Sequence, residues 1–94
     1  MKIKLLDENA KIPFRGSNMA AGYDLYAAIA ETVVIPAHST IKIPTGLAFE
    51  IPIGYFGKME SKSGLMVNHS ICCGGGVVDS GFRGSIKVRM INHD

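Results

Sequence analysis

Hydrophobic positions along this chain fall in short β-branched runs, punctuated by glycine and proline, and seldom at the 3.6-residue spacing of a helix. The runs recur about every 8 to 12 residues, the rhythm of a sandwich or barrel. Candidate strands are Lys2 to Leu6, Asp24 to Ala28, Thr32 to Ile35, Ser39 to Ile43, Leu47 to Glu50, Tyr55 to Glu60, Cys72 to Val78 and Ser85 to Ile91. Pro13, Pro36, Pro44 and Pro52 lie between or at the ends of these runs, where a missing N–H harms no ladder. SGLMVNH, residues 63 to 69, is too short to stand alone as a helix and lacks a clear cap at its far end, so it is expected to be loop with at most a turn. No repeat, linker or low-complexity tract divides the chain, so residues 1 to 94 are expected to form one all-β domain.

Composition narrows the picture. Hydrophobic residues are 47% and charged residues 19% of the 94, which excludes a disordered chain. A domain this short buries a modest core, and oligomerisation would add stability. The net charge of +2 is spread over scattered basic residues, with no Lys/Arg run or aromatic platform, so a small anion suits the chain better than a nucleic acid. Cys72 and Cys73 are adjacent, a spacing that suits neither zinc nor an intrachain disulfide, and they are expected to be buried apolar residues of a reducing compartment. The N-terminus has no signal-like apolar core, and no stretch approaches the roughly 18 apolar residues of a membrane span. These features predict a soluble intracellular protein with no membrane association. His38, His69 and His93 are not at metal-ligand spacing and are expected at surfaces or turns. Tyr23, Tyr26 and Tyr55 read as core or interface residues.

Three segments can carry chemistry. GGGVVDSGFRG, residues 74 to 84, holds five of the eleven glycines around one acid, Asp79. It is neither a P-loop nor a dinucleotide fingerprint. ICCGGGVVD and GSIKVRMIN look like a hairpin whose backbone could be offered to the edge of a flat polar ligand such as a nucleobase, unless the hairpin is merely structural. Asp79 could take a proton from water beside a phosphate-complementing Arg83, or the two could form an ordinary surface pair. In AAGYDLYAA, residues 20 to 28, Asp24 sits among apolar residues and must be paired, bound to a metal through water, or hydrogen-bonded to backbone. In ESKSGL, residues 60 to 65, a basic side chain, a hydroxyl and a flexible N–H follow one another, a grouping that suits phosphate oxygens but also occurs in ligand-free turns.

AGYDLYAA, SGL and GVVDSGFRG in that order resemble the first three signature motifs of the dUTP pyrophosphatase (dUTPase) family, and IPAHSTIKIPTGLAFEIPIGYFGKM is similar to its strand-turn-strand segment before the second motif. The resemblance covers nearly the whole chain. It implies a β jelly roll (β-clip type), usually a homotrimer with sites shared between subunits, that hydrolyses dUTP to dUMP and pyrophosphate with Mg²⁺ and so limits uracil incorporation into DNA. On that basis Asp79 orients and deprotonates the attacking water. Gly74, Gly75, Gly76 and Val77 meet the uracil edge with main-chain groups, Phe82 stacks under the sugar where the family usually has Tyr, and Arg83 supplies charge. Lys62, Ser63 and Gly64 hold phosphate oxygens, and Asp24 reaches the Mg²⁺ shell through water.

The match has departures. Lys62 stands where the family generally has Arg, so the phosphate grip is expected to be weaker; Ser61 replaces a Pro and Met66 a small residue, which implies a less rigid or displaced phosphate loop, and Gly81 replaces an acid while Asp79, the base, is kept. The family continues past INHD through a fourth motif and a glycine-rich arm. The resemblance therefore implies a fragment or shortened form, incomplete at the C-terminal end of the jelly roll, or one that rebuilds the missing sheet through a partner. Two other readings stand beside dUTP hydrolysis: a catalytically weak relative that binds nucleotide or protein, and a dCTP deaminase relative, for which no additional acid-base residues are identifiable.

Overall fold

The most regular part of the fold follows from alternation. In TIKIP, Thr40, Lys42 and Pro44 are exposed while Ile41 and Ile43 are half-buried, the period-two pattern of a strand with one covered face. The computed structural model describes residues 1–94 and pairs this strand, β2 (Thr40–Pro44), antiparallel with β7 (Lys87–Asn92), setting Ile41 opposite Met90 and Ile43 opposite Val88. The other edge of β7 takes β5 (Ile71–Cys73). Two smaller antiparallel pairs complete the β structure: β1 (Lys2–Leu5) with β3 (Leu47–Glu50), and β4 (Gly57–Lys58) with β6 (Val77–Val78). One helix, α1 (Ser63–His69), lies between β4 and β5 in the chain and contacts β5.

The chain changes sheets at Thr45 and Gly46. Thr45 is buried, its Oγ1 donates to the Ile86 carbonyl at 2.7 Å, and the same oxygen accepts the Leu47 N–H at 3.2 Å. Backbone bonds from Thr45 N to Ile86 O and from Ile86 N to Leu47 O close the joint at 3.1 and 2.8 Å. Gly46 has φ of 67°, and a Cβ there would stand 2.8 Å from that of Ala10, so the bend admits no side chain. The core packs beside this joint: Leu47, Phe49, Ile51, Val78 and Ile86, with Ile3, Ala10, Leu25 and Met59 against them.

Several expectations are corrected. Asp24 to Ala28 is no strand: Asp24 makes a single bridge to Phe14, and Ala28 donates once to Pro44 O. Thr32 to Ile35 forms no ladder and is tied down by Asn92 Nδ2 on Ile35 O at 2.9 Å. Tyr55 to Glu60 shrinks to β4. Cys72 to Val78 is cut in two, because Gly75 and Gly76 adopt φ of 64° and 129° and turn the chain from β7 toward β4. Residues 63 to 69 are helical, capped at the far end by Ser70 in the left-handed conformation, a position usually held by glycine and therefore easy to overlook. The cysteines are half-buried, not buried, and Tyr23 and Tyr55 are 66% and 70% exposed, so neither belongs to this core.

Nine of 94 residues are buried, so each core side chain carries a large share of the stability. Leu47→Ala is expected to cost about 2–5 kcal/mol, whereas Val67→Ala, at a residue 81% exposed, should stay within roughly 0.5 kcal/mol. Urea denaturation of the two variants checks this; equal midpoints would place the core elsewhere.

Candidate active site

Asp24 and Lys62, separated by 37 residues of chain, meet in an ion pair at 2.9 Å. Asp24 is placed by reciprocal backbone bonds with Phe14 (3.1 and 2.7 Å), and the loop between them is held by Arg15, which donates to the carbonyls of Ala20 and Asn18. Lys62 is placed by Ser61, whose hydroxyl accepts the Cys73 N–H at 3.0 Å and so ties the segment to β5. Ser63 and Gly64 open α1, where first-turn N–H groups lack intrahelical partners. All four residues line a groove of about 1150 Å³ whose floor is apolar, with Ile3, Phe49, Ile51, Val88 and Met90. On its rim Lys58 and Glu60 pair at 2.9 Å; the Glu60 carboxylate, by hydrogen bond and charge, holds the Lys58 ammonium above its ordinary value.

Asp79 lies elsewhere. Its segment is strung between two buried residues, Val78 and Ile86, and turns through a bond from Phe82 N to Asp79 O at 3.0 Å. Phe82 folds back over Gly84 so closely that a Cβ on Gly84 would sit 2.7 Å from the ring. Asp79, Phe82, Gly75, Gly76 and Val77 line a depression of about 350 Å³. Gly74 stands outside it and donates to Arg89 O at 2.9 Å, while Gly76 O accepts the Met59 N–H at 3.0 Å. Arg83 turns away: it donates to the Ser80 and Phe82 carbonyls and approaches Glu50 at 3.7 Å, so it neither pairs with Asp79 nor lines the depression.

The structure thus gathers the sequence candidates into two sets, and Met59 alone lines both hollows. Sequence reasoning missed Met59, Lys42 and Lys87. The two lysines were findable, since strand alternation puts them on the exposed face of the β2–β7 ladder; Met59 carried no signal beyond hydrophobicity.

The sequence model of the dUTPase family matches residues 8–94. The chain belongs to the dUTPase family. Among curated relatives, the deoxyuridine 5'-triphosphate nucleotidohydrolase of Oryza sativa subsp. japonica is 47% identical over 99% of this chain and 53% of that protein, and that of Candida albicans 44% identical over 99% and 57%. The dUTPase from phage phi11 of S. aureus superposes with a TM-score of 0.90 at 34% identity, covering 99% of this chain and 59% of that one; Staphylococcus bacteriophage 80alpha dUTPase gives 0.89 at 34%, with the same coverage. This dUTPase-family chain has the all-β jelly-roll fold of those neighbours and spans a little over half the length of the relatives it matches.

The Asp24–Lys62 pair is about half exposed, at 45% and 55%, so it contributes at most about 1 kcal/mol. Asp24→Asn should leave thermal stability within that limit. A larger loss in a melting experiment would show that the pair is structural rather than poised for a ligand. Glu60→Gln should return Lys58 to its ordinary titration range. Because Lys58 is raised in the folded chain, whatever the pair contributes is present below the unfolded lysine value and fades as pH rises through the folded one. NMR titration of the lysine side chains checks this.

Proposed function

We propose that the protein hydrolyses dUTP to dUMP and pyrophosphate with Mg²⁺, in sites shared between the subunits of a homotrimer. The observation that carries this reading is the depression beneath Asp79. It is lined by Phe82 and by Gly75 and Gly76, which carry no side chains, and its volume lies at the small end of ligand pockets. A flat base meets main-chain groups of Gly75 to Val77 there, with no side chain on the glycines to hold it off. The Phe82 ring faces the sugar and, like tyrosine, presents an apolar surface where a 2′-hydroxyl would go unpaired.

Asp79 lines this depression and is exposed, so its carboxylate can reach a water. It takes one proton from that water as the oxygen bonds to the α-phosphorus and the bond to the pyrophosphate oxygen breaks. Lys62, with Ser63 and the Gly64 N–H, grips phosphate oxygens in the other groove. Because that cluster and Asp79 occupy different hollows, a subunit pairing that faces one hollow with its neighbour's other hollow would complete the site, which supports the shared arrangement. No cluster of three His, Cys, Asp or Glu side chains exists to cage a metal. This donor set fits an ion carried mainly by phosphate oxygens and water, with Asp24 holding it through water. When bound, Mg²⁺ offsets the triphosphate charge.

Asp79→Asn is expected to cut pyrophosphate release from dUTP at least about 10²-fold while a non-hydrolysable dUTP analogue still binds in a titration. Lys62→Arg, which restores a two-pronged donor, should lower the dUTP concentration needed for half-maximal rate. Release from a well-folded protein that is untouched by Asp79→Asn, or that is equal with dCTP and UTP, would overturn the proposal.

A further inference from the structure

β5 presents its two cysteines to opposite faces, as neighbouring residues of a strand must. Cys73 belongs to the groove already described: its N–H bonds to Ser61 Oγ, and its sulfur accepts from the same hydroxyl at 3.7 Å and makes no hydrogen bond to an imidazole. Cys72 has a different neighbour. Its Sγ lies 3.2 Å from Nε2 of His93, across the end of the β5–β7 ladder. Both partners are held by backbone: Cys72 stands opposite Ile91, Ile71 opposite Asn92, and the His93 N–H bonds to Ser70 O at 2.9 Å, beside the left-handed cap of α1. Cys72 is half-buried and His93 exposed, so the pair is open to solution from the imidazole side. Neither residue has a part in the nucleotide chemistry derived above.

A thiol becomes a strong nucleophile when a neighbouring base takes its proton, and a cysteine and histidine within hydrogen-bond reach are the minimal arrangement that does this. We propose that Cys72 is a nucleophilic thiol with His93 as its base, a site of covalent modification by soft electrophiles that is separate from the nucleotide groove. With an alkyl iodide as electrophile, the thiol proton passes to His93 Nε2. The sulfur lone pair then forms the S–C bond, the C–I bond breaks, and iodide leaves with its electron pair; the imidazolium returns its proton to water. The neighbouring Cys73, one residue away and hydrogen-bonded to a serine hydroxyl instead of an imidazole, is an internal control in the same molecule.

The test is brief alkylation of the folded protein with iodoacetamide at neutral pH, with fragment-ion mass spectrometry assigning the label to Cys72 or Cys73. Cys72 should react about tenfold faster than Cys73, and His93→Gln or His93→Ala should bring the two rates together by slowing Cys72 alone. His93 is exposed, so its replacement should leave the fold in place, and an unchanged Cys73 rate verifies that. Carbethoxylation of the imidazoles in the unmutated protein tests the same point without a variant and should also abolish the lead of Cys72. Equal rates at the two cysteines of the unmutated protein, or a lead that survives removal of the imidazole, would overturn the proposal.

Discussion

The joint between Thr45 and Ile86 holds the rest of the molecule in place. Within three residues, Thr45 to Leu47, the chain leaves the β2–β7–β5 sheet and enters the β1–β3 pair. A bend of that kind in the interior would strand its backbone polar groups without partners. Here a single hydroxyl serves as both acceptor and donor and Ile86 supplies the matching carbonyl, so the joint's polar groups are satisfied. The same stretch receives Leu6 through Gly46 O and Ala28 through Pro44 O, which draws residues 6 to 28 onto the core although, beyond the single Phe14–Asp24 bridge, they form no strand.

Both candidate hollows depend on that joint. Ile86 ends the segment that carries Asp79 and Phe82, and Val78 begins it, so a turn of exposed residues hangs between two anchors that share one hydrophobic cluster. Arg83 reinforces the turn from outside by tying it to Glu50, which also lies 3.9 Å from Lys2. The other hollow takes its shape from the space between the β1–β3 pair and the larger sheet, with an apolar floor and a polar rim.

The ion pair of Asp24 and Lys62 shows how a half-exposed contact can matter more for position than for stability. Its energy is small, yet it sets an acid from the first motif and a base from the second at one place on the groove. Groups that hold each other loosely can exchange that bond for one to a phosphate or a hydrated cation at little cost.

The chain's own residue order determined the all-β character, the central strands to within one or two residues at their ends (read at 39–43, 47–50 and 85–91, formed at 40–44, 47–50 and 87–92), and the three motif segments. Each of these rests on local patterns, namely short apolar runs, glycine and proline boundaries, and motif order over a few residues. Tertiary structure decided what local pattern cannot carry. Residues 24–28 and 32–35 have strand-like composition but find only single partners, and a strand exists only where a whole row of partners is offered. Residues 63–69 have helical freedom but too little length, and contact with β5 makes them a helix. The sequence reads residues 72–78 as one strand, yet the direction of the chain at Gly75 and Gly76, which sends β6 to β4 and parts Asp79 from Lys62, depends on two positive φ angles and on which neighbours remain unpaired. The pairs Asp24 with Lys62 and Cys72 with His93 join residues far apart in the chain, and only folding brings such groups within hydrogen-bond reach.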